Sequence, residues 1–259
     1  MTLSAEWDTH TDAYRSAPPG RWRTYCDRLH LALIERELPE PGSLVLKTDL
    51  FDEAVGTGLV EGIAGRPGVG DVAGVDVSAA VARDASSSNP ELQAAIGDLR
   101  ELPFASGSFD AIVSNSSLDH FETRRELFTA IDELHRVTRS DGRVLITLDN
   151  LACPIIALRN ALPYRLLRAI GIMRYPTGAT LTGRGLRRAL TDAGFAVERT
   201  ATLMHAPRVL AIPWFEHADR RGADGTGRSV NRLLRWEVLG RLPTRHMTGH
   251  FVCVVARRP

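Results

Sequence analysis

Between residues 43 and 150, short apolar runs alternate with segments in which apolar residues recur at helical spacing. The candidate strands are SLVLK (43–47), DVAGVDV (71–77), LQAAIG (92–97), FDAIVSN (109–115) and GRVLITLDN (142–150). Before the last of these, Leu127, Ile131 and Leu134 mark the apolar face of a helix predicted over residues 121–137. Strands that alternate with helices in this way predict an α/β fold on a doubly wound, mainly parallel sheet.

The remaining chain adds elements to this core. A helix is expected before the first strand, and a second helix, capped by Thr182, leads into strands at 195–204 and 250–258. Segments 151–180 and 205–247 break the alternation, because they are interrupted by prolines and rich in arginine. We expect both to lie over the carboxyl edge of the sheet, where open α/β folds bind ligands. The predicted organisation is an N-terminal helical segment (1–40), a cofactor-binding core (41–150), a cap insertion (151–180), a core helix and strand (181–204), a second cap insertion (205–247) and a final strand (248–259).

The amino-acid composition argues against several classes of protein. The chain is 44% hydrophobic and 24% charged with a net charge of +1, which favours a globular protein without a nucleic-acid partner. Cys26, Cys153 and Cys253 form no CxxC pair, so neither a disulfide framework nor a metal site is expected. No uncharged apolar run approaches the roughly 18 residues of a membrane span. The N-terminus lacks the features of a signal peptide, and a cytoplasmic location is expected.

Acidic residues stand at the ends of two predicted strands. Asp76 ends the second strand, where a carboxylate can accept hydrogen bonds from both hydroxyls of a ribose. Alternatively, Asp76 only caps the helix that begins near Ser78. Asp98 follows the third strand and is suited to accept from the exocyclic amine of an adenine, with Leu99 packed on the ring. The fourth strand ends at Asn115 and opens onto the same crevice.

The succession GVDVS, GDLRELPF, SFDAIVSNSSLDHF and ELHRVTRSDGRVLI resembles the class I S-adenosylmethionine-dependent methyltransferases. Within them it is most similar to the ubiquinone and menaquinone biosynthesis branch, over residues 40–150. The resemblance implies a Rossmann-like seven-stranded sheet whose last strand is antiparallel, and S-adenosylmethionine as the cofactor. It also implies a role for each matching residue: Asp76 at the ribose, Asp98 and Leu99 at the adenine, and the backbone of Ser114 and Asn115 at the amino acid end. Val77, next to Asp76, is also expected in the cofactor site.

The first motif of that family departs from its pattern in LVLKTDLFDEAVGTG, residues 44–58. The family has an acid, any residue, and then three glycines at alternate positions. Counting from the strand puts Lys47 in the acid position and Asp49 on the first glycine, with residues 50–55 as a modified loop. Counting from the glycines at 56 and 58 makes Asp52 the acid, but it forces polar residues from Lys47 onward into a buried strand. Uncompensated burial of such charges costs several kcal/mol, so we favour the first register.

The modified loop offers charged groups to the methionine end of the cofactor. Lys47, followed by Thr48, is predicted to pair with the cofactor's carboxylate, and Asp49 or Glu53 to receive its ammonium. Side-chain recognition of this kind can replace the close backbone approach that glycines allow. Alternatively, Lys47 and Asp49 form a structural ion pair.

Three residues are candidates for acting on the methyl acceptor. Methyl transfer is an in-line displacement that needs alignment and, for an oxygen or carbon nucleophile, removal of a proton. His120 follows the fourth strand at the mouth of the crevice and is a candidate general base, with Asp119 positioned to orient it or to meet the substrate. Asp149 ends the fifth strand, where it either contacts the acceptor or caps the following turn.

The leading hypothesis is therefore a methyltransferase of small-molecule biosynthesis. We expect an enclosed, largely apolar acceptor pocket between the cap segments and the crevice, with His120 and Asp149 at its floor. The arginines of the cap either form solvated helix faces or recognise an anionic or lipid-linked substrate at a membrane surface. A rival hypothesis, raised by the altered first motif, is an S-adenosylmethionine-binding protein that transfers no methyl group. An NAD-dependent oxidoreductase is disfavoured because no GxGxxG follows a strand.

Overall fold

The computed structural model describes residues 20–38, 40, 42–55, 58–169, 178–221 and 226–259. The strands are Leu44–Thr48 (β1), Asp71–Asp76 (β2), Leu92–Ile96 (β3), Phe109–Asn115 (β4), Thr138–Asp149 (β5), Ala196–Leu203 (β6) and Phe251–Arg257 (β7). The helices are Arg21–Glu37 (α1), Phe51–Ala54 (α2), Val60–Ala64 (α3), Ala79–Ser88 (α4), Arg124–Val137 (α5), Pro154–Ala161 (α6), Tyr164–Ala169 (α7), Gly183–Asp192 (α8), Arg208–Arg220 (α9), Thr226–Leu234 (α10) and Arg245–Thr248 (α11). Short 3-10 helices span Leu118–His120 and Arg235–Arg241.

The strands form one sheet in the order β3-β2-β1-β4-β5-β7-β6. Its first five members pair in parallel, and β7 is antiparallel to both β5 and β6. The predicted seven-stranded sheet with an antiparallel last strand is confirmed. Because the strand order reverses between β1 and β4, a crevice opens at the carboxyl ends of these strands.

Helices cover both faces of the sheet, which explains why its central strands are apolar throughout. On one face, Tyr25 and Leu33 of α1 and Val81 of α4 pack in one core cluster. On the other, Leu127 of α5 and Leu186 of α8 pack in a second cluster. The helix starts are capped as the sequence suggests: the Oγ1 of Thr182 accepts from the backbone N–H of residue 185 at 3.1 Å, and α5 begins with a full capping box.

Strand β5 begins earlier than predicted. The sequence predicts a strand over residues 142–150, yet Ser140 and Asp141 also lie within β5. The register between β4 and β5 shifts there, and Asp141 takes a positive φ of 62°. Extra residues are thus accommodated as a bulge, so the ladder continues where the sequence predicts a break.

The second cap segment, 205–247, packs extensively against α1. The rings of Tyr25 and Phe215 lie 6.4 Å apart, the Tyr25 hydroxyl lies 3.4 Å from Glu237 Oε1, and Arg21 pairs with Asp219. Helix α10 stops at Leu234, and the Val238 side chain, in a 3-10 helix, is 57% exposed. No helix in the described ranges is long and apolar enough to cross a membrane.

Candidate active site

A cleft of about 600 Å³, including its open mouth, lies at the carboxyl ends of β1 to β4. Its walls are Asp49, Phe51, Val75, Asp76, Val77, Val81, Gly97, Asp98, Leu99, Ser117, His120 and Phe121. Six residues singled out from the sequence therefore share one cavity: Asp49, Asp76, Val77, Asp98, Leu99 and His120. The other candidates, Lys47, Thr48, Glu53, Ser114, Asn115, Asp119 and Asp149, do not line it.

Asp76 faces this cleft and also organises the backbone around it. Its Oδ1 accepts from the N–H of Ser78 at 2.8 Å, and its Oδ2 accepts from the N–H of Leu50 at 2.9 Å. Ser78 in turn caps α4 through a bond from the Val81 N–H to its Oγ. Burial raises the pKa of the Asp76 carboxyl. Each carboxylate oxygen keeps a lone pair, so the capping role and a role in ligand binding are compatible.

Asp98 is held by a basic partner at the rim of the cleft. Its Oδ2 lies 2.6 Å from Nη2 of Arg100, whose Nη1 lies 2.6 Å from Glu126 Oε1. The Arg100 guanidinium also stands 5.5 Å from the centre of the Phe121 ring. Although partial burial acts to raise it, hydrogen bonds from Arg100 hold the pKa of Asp98 below its ordinary value. Asp98 is therefore an ionised hydrogen-bond acceptor at neutral pH.

The structure follows the strand-based register of the first motif. Strand β1 ends at Thr48, and Asp49 turns the chain with a φ of 67°, a left-handed conformation that favours glycine but that Asp tolerates. Asp52, the acid of the other register, lies on α2 and pairs with Arg23. Gly56 and Thr57 of that register lie outside the described residues.

Lys47 has a buried ionic partner, but that partner is Glu53 and not Asp49. Lys47 Nζ lies 2.9 Å from Glu53 Oε2, and the two side chains are 1% and 0% exposed. Lys47 also donates to the backbone carbonyl of Asp49, and Glu53 Oε1 accepts from the N–H of Leu59 at 2.9 Å. Gly58 has a φ of 122°, and a Cβ there would overlap the Glu53 carboxylate. The pair thus joins the end of β1 to α2 and to Leu59 at the start of α3, and neither of its side chains lines the cleft.

Asp49 is consequently the loop carboxylate that reaches the cleft. Its Oδ1 accepts from the N–H of Phe51 at 2.9 Å. Burial, followed by the neighbouring Asp76 carboxylate, raises the pKa of Asp49 to about 6, while Lys47 and His120 act in the opposite direction. Two carboxylates from the ends of adjacent strands therefore face the same space.

The end of β4 presents polar groups beside the cleft. Ser114 Oγ and Asn115 Oδ1 are buried without a hydrogen-bond partner among the described residues. Thr48 Oγ1 lies 2.7 Å from Oγ of Ser117, which lines the cleft. The sequence analysis named Asn115, Asp119 and His120 in the run SFDAIVSNSSLDHF, but it missed Ser117 and Phe121, which also line the cleft.

Asp119 and Asp149 belong to a buried polar cluster adjacent to the cleft. Asp119 Oδ2 accepts from the N–H of Asp149 at 3.0 Å and from Ser116 Oγ at 3.0 Å. Asp149 contacts Arg159 Nη2 at 2.5 Å and His250 Nε2 at 3.3 Å. Burial raises the pKa of Asp119; burial acts to raise that of Asp149 too, but His250 and Arg159 hold it well below its ordinary range.

The sequence predicts a pocket with both His120 and Asp149 at its floor, but only His120 lines the cleft. His120 lines the cleft, whereas both oxygens of Asp149 are turned to partners that its sequence position does not reveal. No described residue of either cap segment lines the cleft. The first cap segment does reach the site's edge, because the N–H of Gly178 donates to the carbonyl of Asp119 at 2.7 Å.

Comparison with known families agrees with the geometry. Residues 51–146 match the family model described as a methyltransferase domain. Together with the strand order, this match defines the class that the chain resembles: residues 51–146 are similar to a methyltransferase domain, and the sheet has the fold of class I S-adenosylmethionine-dependent methyltransferases. The resemblance seen in the motifs is confirmed.

The more particular likeness is to the menaquinone branch. Over 106 residues the chain is 34% identical to the demethylmenaquinone methyltransferase of Beutenbergia cavernae, covering 41% of this chain and 40% of that protein. The chain matches 40% to 54% of the length of its curated relatives.

Solved structures share the fold of this chain at low sequence identity. One chain of a complex that contains the Haloferax volcanii Trm112 methyltransferase activator has a TM-score of 0.62 at 14% identity, covering 100% of this chain and 98% of its own. The [4+2]-cyclase SpnF has a TM-score of 0.57 at 19% identity, covering 90% of this chain and 80% of its own.

Proposed function

We propose that this protein transfers the methyl group of S-adenosylmethionine to a small-molecule acceptor. The observation that carries the proposal is the cleft at the switch point of the sheet, where Asp76 and Asp98 follow β2 and β3. Carboxylates at these places suit ribose hydroxyls and an adenine amine, and the apolar Val77 and Leu99 suit the adenine faces. Side chains of both kinds line the same cleft.

The methionine end of the cofactor would lie toward β1 and β4. Asp49 is the acidic group available there to a positively charged part of the cofactor, since Glu53 is fully buried and bound to Lys47. The unpartnered oxygens of Ser114 and Asn115 also favour a polar ligand near the end of β4. When bound, the cofactor supplies an electrophilic methyl group on a sulfonium.

His120 is the residue we propose to face the acceptor. It lines the cleft on the 3-10 helix Leu118–His120, and an imidazole there suits removal of a proton from an oxygen or carbon nucleophile. Asp119 would act as a positioning residue, because its carboxylate ties this helix to the backbone of β5. Asp149, which is paired with Arg159 and His250, would stabilise the part of the site that faces the acceptor, without contacting the reacting atoms.

The acceptor is proposed to be largely apolar and to be selected by the cap. Large apolar side chains on α6, α7 and the start of α9 are exposed: Ile155, Leu158, Leu166, Val209 and Leu210. The demethylmenaquinone methyltransferases among the relatives support the same chemical class. An apolar surface with a few polar groups is the usual lining of a small-molecule site.

The test combines binding with turnover. We expect calorimetry to detect S-adenosylmethionine binding, and labelled cofactor to pass its methyl group to a member of a panel of quinone, phenol and isoprenoid acceptors. His120→Gln should lower turnover by about 100-fold and leave cofactor affinity within about threefold. A wild-type protein that binds no S-adenosylmethionine would overturn the proposal.

A second candidate function is cofactor binding without methyl transfer. The charged first motif, with Lys47 and Asp49 in place of an acid and a glycine, favours it. The similarity in fold to SpnF is compatible with it, because a fold of this kind hosts more than one chemistry. Tight cofactor binding without turnover of any acceptor in the panel would favour this alternative.

A further inference from the structure

Asp49 brings a negative charge to a position where the family has glycine. It lines the cleft at the end of β1, is partly buried, and holds a φ of 67°. Its Oδ1 receives the N–H of Phe51, which fixes the carboxylate above the start of α2. Glycine would present only backbone here, so the substitution changes the charge of the site as well as its shape.

The charged groups around Asp49 do not neutralise its negative charge. Four groups act on it: Asp76, Lys47, Asp52 and His120. Lys47 is bound to Glu53, and Asp52 is bound to Arg23, so these two groups largely compensate their own partners. No lysine or arginine of the described chain lines the cleft. Asp49 and Asp76 therefore form an acidic pair that suits a cationic ligand.

We propose that Asp49 makes the cleft selective for the cationic S-adenosylmethionine over its neutral product, S-adenosylhomocysteine. The inference rests on the proposed function. The two molecules share their ammonium, carboxylate, ribose and adenine. They differ by one methyl group and one positive charge, because the sulfur keeps the bonding electron pair when the methyl group leaves.

The sulfonium is the cofactor group to which Asp49 is suited. The sulfur is bonded to the 5′ carbon of the ribose, and Asp49 is the neighbour of the proposed ribose ligand Asp76. In surroundings of intermediate polarity, a unit charge about 6 Å away changes affinity by roughly tenfold or more. Loss of the charge on methyl transfer restores the repulsion between Asp49 and Asp76, which favours release of the product.

The selectivity should depend on pH. The pKa of Asp49 is raised to about 6, so the carboxylate is ionised at neutral pH and its charge is lost in mild acid. Affinity for S-adenosylmethionine should therefore fall as the pH drops through about 6, and affinity for S-adenosylhomocysteine should change less.

Calorimetric titration with three ligands tests the proposal: S-adenosylmethionine, S-adenosylhomocysteine and sinefungin, whose amine supplies a positive charge near the position of the sulfonium. The variant is Asp49→Asn, since Asn tolerates a positive φ and keeps an acceptor for the Phe51 N–H. We expect about a tenfold loss of affinity for both cationic ligands and no more than about a twofold change for the product. Asp52→Asn, which removes a charge from the same loop outside the cleft, should leave the ratio of affinities within about twofold.

The ways in which the proposal can fail are distinguishable. If Asp49→Asn weakens all three ligands equally, Asp49 holds the shared ammonium and the selectivity proposal is overturned. An unchanged ratio of affinities in Asp49→Asn overturns it as well. If the wild-type protein binds none of the three ligands, the proposed function itself fails. A thermal melt of each variant without ligand confirms that it is folded.

Discussion

Lys47 Nζ lies 2.9 Å from Glu53 Oε2, and both side chains are shielded from solvent. This buried pair stands where the family's first motif has an acid and a flexible glycine loop. An ion pair this deep must satisfy its own charges, because no water is available to do so. Side-chain electrostatics therefore hold α2 against the end of β1, and the neighbouring Asp49 lines the cleft.

Removing one member of this pair should be costly. Lys47→Met leaves the Glu53 carboxylate buried and uncompensated, so we expect a loss of about 3–5 kcal/mol in the free energy of unfolding, measured in urea. Adding Glu53→Gln should recover part of that loss, since Gln still accepts from Leu59. Arg188→Ala, which breaks an exposed pair with Asp192, should cost less than about 0.5 kcal/mol. A loss below about 1 kcal/mol for Lys47→Met would contradict the assignment.

Asp76→Ala should weaken both the cofactor site and the fold. The side chain accepts two backbone N–H groups, so its loss should destabilise the ligand-free protein by about 1–3 kcal/mol. Asp76→Asn keeps one good acceptor and should cost less, while still lowering affinity for S-adenosylmethionine by about tenfold or more. Unfolding curves and calorimetry on both variants separate the two effects. Unchanged cofactor affinity in both would remove Asp76 from the site.

Asp49 should reduce stability at neutral pH. Its folded pKa of about 6 lies above the ordinary value of about 4, so the folded state binds a proton that the unfolded chain does not between these values. Stability therefore falls as the pH rises through this window. Because Asp49 is only partly buried, we expect Asp49→Asn to stabilise the ligand-free protein by only about 1 kcal/mol near pH 7.5. The gain should vanish near pH 4, and a gain independent of pH would refute this explanation.

Asp149 should show the opposite dependence on pH. Its folded pKa is depressed, so its contribution is present above the unfolded value of about 4 and is lost as the pH falls below it. Asp149→Asn should cost about 3 kcal/mol near pH 7 and much less near pH 2, measured by urea unfolding. Asp141→Asn, at an exposed pair with Arg257, is the matched control and should have little effect at either pH.

Gly178→Ala tests the link between the first cap segment and the cleft. A Cβ at Gly178 would overlap the backbone carbonyl of Phe121, so residues 119–121 must move. We expect a loss of about 2 kcal/mol in stability and weaker cofactor binding, because His120 and Phe121 line the cleft. Gly227→Ala meets no atom within 4 Å on α10 and should stabilise the protein slightly. Equal behaviour of the two variants would argue against the link.

Much of the fold and part of the site could be predicted from the sequence. The sequence predicts strands β1 to β4 to within one residue, because a strand covered on both faces is a short continuous apolar run that can be recognised along the chain. Asp76 and Asp98 were recognisable because a charged residue directly after a buried run must lie at a strand end. The sequence predicts a later start for β5, because residues such as Asp141 favour turns. In the structure a bulge at Asp141 accommodates them, and the strand continues through this point.

The tertiary structure decided which charges meet. Three acidic residues, Asp49, Asp52 and Glu53, follow Lys47 closely in sequence, and only the turn at Asp49 determines that Glu53 is the one it reaches. Asp149 is held by Arg159 and His250, the latter 101 residues away, so no local pattern could reveal this cluster. Periodic burial is encoded by nearest neighbours, whereas an ion pair depends on the approach of distant segments to within a few ångströms. The sequence thus determined the sheet and its acidic strand ends, and the packing of loops and cap determined which of those acids line the cleft.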